Sequence, residues 1–290
     1  MYVCEIIKQA KFLVTCELEP PKGIALEGFL NRVEMLKGSV HAINIGDNQR
    51  AVMRAAALAV CHTLKTRSIE PVMEIAARDK NRIAIQSELL GAAILGIENI
   101  LLVTGQEPVM GDHREARPVY DLDGVALVDA AIRLTRGKDL TGHDLTGSPA
   151  FCLGIVATPG LDDGGARLAE LEKKVAAGAR FIQTPPVYEP AVFEKFIRTM
   201  ARFEIPVLAG HTILKSASMA GFMNSNIEGV HVPENIIREL EGLTRKELID
   251  RTLRISLNIL REIKPMCQGV HFITAGWEGH IPTLVRELAA

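Results

Sequence analysis

The chain has 290 residues and a formal net charge of −2, without a basic tract or an acidic tail. The sequence therefore contains no cluster of basic residues of the kind that binds nucleic acid or a membrane surface. With 48% hydrophobic and 23% charged residues, the composition is that of an ordinary globular protein with ample core material. The first residues are too polar for a signal peptide, and no apolar run approaches the roughly 18 residues of a membrane span, so we expect a cytoplasmic protein.

The cysteines and histidines show none of the spacings that mark covalent or metal sites. The five cysteines are odd in number and no two are spaced as CxxC, so we expect reduced, mostly buried thiols rather than a disulfide framework. The eight histidines form no HxxxH or HExxH pattern. Local motifs therefore predict no metal site.

Taken in chain order, short apolar runs alternate with segments of helical periodicity, including an Ala-rich helix predicted over 50–66. Eight strands are predicted, each followed by a helix: 12–17, 41–45, 70–76, 99–103, 151–157, 181–184, 206–209 and 269–274. This alternation predicts parallel strands with right-handed crossovers. Eight such units fit a (β/α)8 (TIM) barrel of a single domain, residues 1–290, better than an open sheet. Extra helices at about 234–263 would pack outside the barrel or form a partner surface.

Acidic and amide side chains gather where the predicted strands end. The positions are Glu17, the loop from Asn44 to Asn48, Glu74 with Asp79, the loop from Thr104 to Glu107, Ala157 with Thr158, Gln183, and Gly276 with Trp277. Barrel enzymes carry their catalytic groups on this rim. Neither a Walker loop nor a GxGxxG motif accompanies them. The rim predicts a site in which an acid and amides contact a polar, uncharged or cationic ligand. Taken alone, the local sequence around Glu17 favours a solvated strand-end residue.

Several segments resemble one enzyme family. They are, in chain order, CELEPPKG, GIENILLVTGQEP, LEKKVAAGARFIQTPPVYEP, PVLAGHTILKS and GVHFITAGWE, and they run from about residue 12 to about residue 288. This ordered set resembles methylenetetrahydrofolate reductase. The phrases INIGDNQRAVMR, ARDKNRIAIQSELLGAA and GWEG look more like the branch of acetogenic and related anaerobic bacteria.

The resemblance implies a (β/α)8 barrel with non-covalent FAD that reduces 5,10-methylenetetrahydrofolate to the 5-methyl form by hydride transfer from the reduced flavin. It implies that Glu17 is the general acid that promotes opening of the methylene bridge, which requires a carboxyl that holds its proton. It also implies that Gln183 hydrogen-bonds the pterin. Flavin contacts are implied for the following residues: Asn44, Glu74, Thr104, Gly105, Gln106, Tyr120, Ala157, Thr158 and Lys174.

Some of these assignments have a purely structural alternative. Gln183 could be a strand-end amide satisfied by the backbone. Lys174, matched to a lysine that reaches the FAD phosphates, could be a solvated helix cation, and the adjacent Lys173 is an equal candidate. Trp277 could stack on a pterin, a flavin or a nicotinamide, or it could simply cap the barrel.

The chain also departs from the family pattern. Gln106 stands where the loop usually carries an aspartate, Glu74 where the enterobacterial enzyme has histidine, and Trp277 where it has arginine. These departures leave the electron donor open between NAD(P)H and a partner subunit. Two alternatives therefore stand beside an active reductase: a folate- and flavin-binding subunit that is inactive with nicotinamide alone, and a flavin-free diverged barrel. An oligomer of the chain with itself or with other subunits is expected.

Overall fold

The computed structural model describes residues 3–9, 11–161 and 165–289. Its eight parallel strands close into a barrel in chain order, which confirms the predicted TIM barrel. The strands are β1 (Leu13–Leu18), β2 (Ala42–Ile45), β3 (Pro71–Ala76), β4 (Asn99–Val103), β5 (Cys152–Val156), β6 (Phe181–Pro186), β7 (Val207–His211) and β8 (Gly269–Ile273). The helices are α1 (Val3–Lys8), α2 (Glu27–Leu36), α3 (Ala57–Lys65), α4 (Arg82–Ile94), α5 (Gly124–Thr135), α6 (Ala166–Ala177), α7 (Pro190–Met200), α8 (Ala217–Asn226), α9 (Glu234–Glu239), α10 (Arg245–Ile263) and α11 (Ile281–Ala289). Among these helices, none has the length and apolar character needed to cross a membrane.

The strand β6 runs further than its sequence predicts. Two prolines were expected to end it after Thr184, yet Pro186 still pairs with Gly210 of β7 after a shift in register. The hydroxyl of Thr184 accepts the N–H of Gly210 at 2.9 Å. The side chain of Thr184 thus supplies a hydrogen-bond acceptor at the irregular position, and β6 continues past a β-bulge instead of ending.

The segment between β2 and α3 is not the helix predicted over 50–66, because α3 begins only at Ala57. Residues Gln49–Ala51 form a single 3-10 turn instead, in which Arg50 has φ of 55°. Asn48 precedes this turn with φ of 48°, and its Oδ1 accepts the backbone N–H of Arg54 at 3.0 Å. Asparagine tolerates left-handed backbone and competes for nearby N–H groups, so the chain folds back here before the helix starts.

The helix α1, which the sequence analysis did not predict, closes the amino-terminal end of the barrel through Val3 and Ile6. Cys4 of this helix forms a disulfide with Cys152 of β5, so the expectation of reduced thiols was wrong for this pair. The two cysteines are 148 residues apart in sequence and meet only when α1 packs against the barrel. No short sequence motif could therefore have predicted the disulfide. The remaining cysteines are free and buried, as expected: Cys16, Cys61 and Cys267.

Side chains along each strand alternate between the barrel interior and the surrounding helices. The interior begins with an apolar floor made of Leu13, Ala42, Val72, Leu101, Cys152, Phe181 and Leu208. The next inward positions are polar on five strands, and we call this set the polar belt: Thr15, Asn44, Glu74, Gln183 and His271. Outward neighbours such as Val14, Ile43 and Ile75 pack in the main core. The strand period therefore stacks a polar layer on an apolar one at the carboxyl end of the barrel.

A substitution at Gly154 would test the packing of the floor, because the absence of a side chain at this position leaves room for the ring of Phe181. A Cβ at Gly154 would lie 2.2 Å from Cζ of Phe181. We expect Gly154→Ala to lower the free energy of unfolding by about 1–3 kcal/mol, measured by urea denaturation. Gly28→Ala is the control, since a Cβ at that position of α2 meets no atom within 4 Å. The control should be neutral or stabilising; equal losses in both variants would contradict this account of the floor.

Candidate active site

Glu17 is the carboxylate at the carboxyl end of β1. It lies in register with Asn44 of β2 and Ile273 of β8, which directs it into the barrel mouth. Its Oε2 is 3.6 Å from Nε2 of His271, and 19% of its side chain is exposed. Glu17 is therefore a partly open carboxylate that faces both an imidazole and the space above the barrel.

The polar belt beneath Glu17 is internally hydrogen-bonded. Asn44 Nδ2 donates to Oε1 of Gln183 at 2.9 Å and to Oε1 of Glu74 at 3.4 Å. Gln183 Nε2 donates to Oγ1 of Thr15 at 3.3 Å and lies 3.4 Å from Nδ1 of His271. Thr15 Oγ1 is also 2.9 Å from that imidazole nitrogen. Since these groups are buried, each depends on the others for its polar partners.

The amide of Gln183 is satisfied by side chains rather than by the backbone. The residue is 2% exposed, its oxygen accepts from Asn44, and its nitrogen faces Thr15 and His271. A direct contact between Gln183 and a ligand would therefore exchange one of these hydrogen bonds. The orientation of the amide is set by the belt before any ligand arrives.

Glu74 is a buried carboxyl on the inward side of β3. Burial in the barrel, together with the negative charge of Glu17, raises the pKa of Glu74 to about 8. Hydrogen bonds from Asn44 and Gln49 oppose this rise without cancelling it. Glu74 is thus mostly a neutral acid at neutral pH, and Glu17 is the charged neighbour that raises its pKa most.

A buried guanidinium joins the rim loops after β2, β3 and β4. Arg78 donates from Nη1 to the carbonyl oxygen of Gln106 and from Nη2 to that of Asn48, each at 3.1 Å. Its Nη2 also pairs with Oδ2 of Asp79 at 2.5 Å. Because one rigid fork bonds two loops, their positions at the barrel mouth are fixed relative to each other.

The loop after β4 lines one side of a cavity of about 850 Å³. Thr104, Gly105, Gln106 and Tyr120 all face this cavity. Gly105 has φ of 87°, and a Cβ there would lie 2.9 Å from Cβ of Arg78, so the loop needs glycine at this point. The hydroxyl of Tyr120 donates to the carbonyl oxygen of Gly105 at 3.4 Å. Four of the residues predicted to contact FAD are therefore brought together at this cavity.

The two lysines proposed for the FAD phosphates occupy different places. Lys173 lines the cavity. Lys174 pairs with Glu170 at 2.6 Å, and its Nζ is 2.7 Å from the point that a Cβ of Gly124 would occupy. Gly124 is the first residue of α5, whose N-terminus favours anions. Lys174 thus lies by the N-terminus of α5, which the carboxylate of Asp123 caps by accepting the N–H of Ala126, and Lys173 lines the cavity that includes this helix end.

The remaining predicted residues lie elsewhere on the rim. Ala157 and Thr158 follow β5 and are half-buried, and Thr158 packs against the backbone at Gly229. Trp277 follows β8, and its ring lies 5.2 Å from that of His280, measured between centroids. In the part of the chain that the structure describes, these three residues are not in the lining of the cavity after β4.

The structure adds Gln49, Arg78 and His271 to the predicted site. His271 could have been found from the strand period, because it lies two residues beyond floor-level Gly269 and so points inward. Gln49 carries no such signal, since its place over the barrel depends on the left-handed turn that contains it. Arg78 resembles an ordinary strand-end cation until its carbonyl partners are known.

Comparison with known proteins places the chain in a family. The model of the family described as methylenetetrahydrofolate reductase matches residues 3–289. The chain belongs to the methylenetetrahydrofolate reductase family. Methylenetetrahydrofolate reductase 2 of Schizosaccharomyces pombe (strain 972 / ATCC 24843) is 24% identical over 241 residues, covering 76% of this chain and 36% of that protein. The chain therefore spans about a third of the length of this longer relative.

Solved structures share the fold of this reductase-family chain at low sequence identity. An uncharacterized protein from Clostridium thermocellum that binds two copies of 5-methyl-5,6,7,8-tetrahydrofolic acid superimposes with a TM-score of 0.67 at 14% identity, covering 98% of this chain and 96% of that one. An oxaloacetate acetylhydrolase superimposes with a TM-score of 0.53 at 12% identity, covering 97% of this chain and 81% of that one. At these identities the likeness shows the barrel fold alone.

The raised pKa of Glu74 predicts a pH-dependent stability. Its folded-state value of about 8 exceeds the ordinary 4.5, so the stability contributed by the neutral acid is fully present below pH 4.5 and is lost as pH rises toward 8. Relative to Glu74→Gln, the wild type should lose about 1.4 kcal/mol per pH unit across this window. Urea denaturation at several pH values measures the difference. Glu194→Gln, which removes an exposed carboxylate of α7, should show no such trend; a pH-independent difference for Glu74→Gln would refute the assignment.

Proposed function

We propose that this chain is a flavin-dependent reductase that converts 5,10-methylenetetrahydrofolate to 5-methyltetrahydrofolate. The observation that carries the proposal is the placement of Glu17 above the polar belt, on the same rim as the glycine loop and its cavity, in a chain of this family. Electrons would come from NAD(P)H or from a partner subunit. A cytoplasmic oligomer, formed with itself or with other subunits, belongs to the same proposal.

FAD fits the cavity after β4. Its volume of about 850 Å³ is within the range of small-molecule sites. Gly105 presents backbone to the cavity, as the edge of a flat ring would require, although the clash that excludes a Cβ there is with Arg78, which does not line the cavity. Lys173 and the N-terminus of α5 would attract a diphosphate, although Glu107, Asp123 and Glu170 of the same lining oppose an anion. The group would supply the hydride, and Thr104, Gly105, Gln106 and Tyr120 would hold it.

Glu17 has the position expected of a general acid. It is partly exposed at the barrel mouth, and His271 lies behind it at 3.6 Å. A proton on Glu17 would pass to the nitrogen that leaves the methylene carbon when the bridge opens, and the resulting carboxylate would then face the cationic iminium of the substrate. Gln183 would orient the pterin by an amide hydrogen bond, and Asn44, which donates to the oxygen of Gln183 at 2.9 Å, would hold that amide in place. The Clostridium thermocellum structure, a barrel with bound 5-methyl-5,6,7,8-tetrahydrofolic acid, supports the choice of substrate class.

A second candidate function is a folate- and flavin-binding subunit that receives electrons from a partner protein. Large apolar side chains near this rim are unusually exposed: Met53 at 47%, Val109 at 60%, Met110 at 64% and Val119 at 45%. Met110 also lines the cavity. A partner that covered this rim would bury them. The two functions separate in one assay, since the subunit should not turn over NADH or NADPH on its own.

An absorbance spectrum of the purified chain after incubation with FAD tests the proposal directly. Flavin bands that bleach on anaerobic addition of 5-methyltetrahydrofolate are expected, because the reaction is run backwards and electrons return to the flavin. Bound flavin that stays oxidised would argue against this substrate. A protein that takes up no FAD would instead support a flavin-free barrel.

The role of Glu17 predicts a separation of the two half-reactions. Glu17→Gln should lower methylene reduction by at least about 100-fold, the usual contribution of a general acid, while reduction of the flavin by dithionite is unchanged. Stopped-flow absorbance of each half-reaction provides the measurement. Glu194→Gln serves as the matched loss of a remote carboxylate. If the variant loses both half-reactions equally, Glu17 is not the acid.

A further inference from the structure

Glu74 is a buried acid for which the proposed reaction provides no role. It lies inward on β3, in register with Leu101 of β4, and is 4% exposed. Its Oε1 accepts from Asn44 at 3.4 Å and its Oε2 from Gln49 at 3.3 Å. Among residues 3–9, 11–161 and 165–289, no cation bonds to it. A buried carboxyl without a cationic partner is costly as an anion.

The electrostatic surroundings also favour the neutral form. The charges that act on Glu74 come from β1 and from the loop after β2, and both are carboxylates, Glu17 and Asp47. On the α3 side lies the buried thiol of Cys61, whose pKa Glu74 in turn raises. Lys80 forms ion pairs with Asp47 and with Glu88, so the charge of its ammonium group is offset by these two carboxylates. His271 of β8 pairs with Glu17. A second anion beside Glu17 would therefore meet repulsion that nearby cations do not offset.

Gln49 offers a neutral Glu74 a matching partner. Its Oε1 is buried and has no hydrogen-bond partner in the described structure, while its Nε2 lies 3.3 Å from Oε2 of Glu74. Turning this amide by 180° exchanges the two atoms and brings the unpartnered oxygen to the carboxyl. A protonated carboxyl can donate to that oxygen, whereas a carboxylate cannot.

The loop after β2 is shaped to bring Gln49 to this place. A Cβ at Gly46 would lie 2.2 Å from Cδ of Gln49, so the glutamine side chain folds over a position that only glycine leaves open. Asn48 and Arg50, on either side of Gln49, both have left-handed backbone. Such conformations persist only where surrounding contacts compensate for them, and here the turn directs Gln49 onto Glu74.

We propose that Glu74 is a proton-holding positioning residue: as a neutral acid paired with Gln49, it keeps Asn44 in the orientation that presents Gln183 to the folate. Asn44 Nδ2 donates to Gln183 at 2.9 Å and to Glu74 at 3.4 Å, one hydrogen for each acceptor. If Glu74 loses its proton, the carboxylate attracts the whole amide group of Asn44 more strongly, since charged acceptors form stronger hydrogen bonds. Asn44 then moves toward Glu74, and the oxygen of Gln183 loses its donor.

This inference rests on the proposed function for its ligand, and it predicts that folate binding is linked to one proton. With FAD-loaded protein, the dissociation constant of 5-methyltetrahydrofolate should rise about tenfold between pH 7 and pH 9 in the wild type. Glu74→Gln keeps the neutral shape and both hydrogen bonds, so its constant should change less than twofold. Glu194→Gln should follow the wild type. The same pH dependence in wild type and Glu74→Gln would overturn the proposal.

A readout that does not require folate separates this inference from the proposed function. Carbon-13 NMR of the glutamate carboxyls should show one group that titrates near pH 8 in the wild type and is missing in Glu74→Gln. Asn44→Ala should keep this titration while its folate affinity no longer follows it. If 5-methyltetrahydrofolate fails to bind at any pH, the proposed function fails, and the titration still decides whether Glu74 holds a proton. A wild type without this titration would overturn the inference.

Discussion

The alternation of side chains in a closed barrel is the constraint on which the site depends. Because the strand period is two, a residue such as Leu13 on the floor places Thr15 and then Glu17 in successive interior layers. Closure repeats this rule on every strand, so the polar belt forms without any loop having to place it. The belt then has little freedom, since its amides and hydroxyl bond to one another across the barrel. Ligand recognition at the rim thus begins from groups that the fold has already oriented.

The rim loops depend on a different interaction, the buried guanidinium of Arg78. It donates hydrogen bonds to the carbonyl oxygens of Asn48 and Gln106, which belong to the loops after β2 and β4. Each loop contains only a single 3-10 turn, Gln49–Ala51 in one and Pro108–Met110 in the other, and the segment 48–51 is left-handed at several positions. A bidentate cation at their junction replaces the hydrogen bonds that a helix or strand would have supplied. The cavity wall at Gly105 is shaped by the same side chain, because Arg78 leaves no room for a Cβ there.

The fold was predictable because strand period, helix period and the spacing of units are properties of neighbouring residues. Predicted and observed strand ends agree within two residues, including the bulged end of β6. The disulfide between Cys4 and Cys152 was not predictable, since it depends on helix α1 reaching across the barrel floor. Gln49 was also missed, because a left-handed turn replaces the helix that its neighbours favour. Long-range contacts and unusual backbone override local preference at these positions.

The distribution of charge inside the barrel connects the site to the proposed reaction. The exposed loop after β4 carries Gln106, a neutral side chain, whereas the interior holds two carboxyls, Glu17 and Glu74. If both were anions, their repulsion would favour a proton on one of them, and the more buried Glu74 is the natural holder. In the proposed reaction Glu17 would give its proton to the substrate nitrogen and then face the iminium as a carboxylate. An iminium carries a single positive charge, so one carboxylate beside it gives a neutral pair. A neutral Glu74 would therefore leave one carboxylate, that of Glu17, to balance the single positive charge of the proposed intermediate.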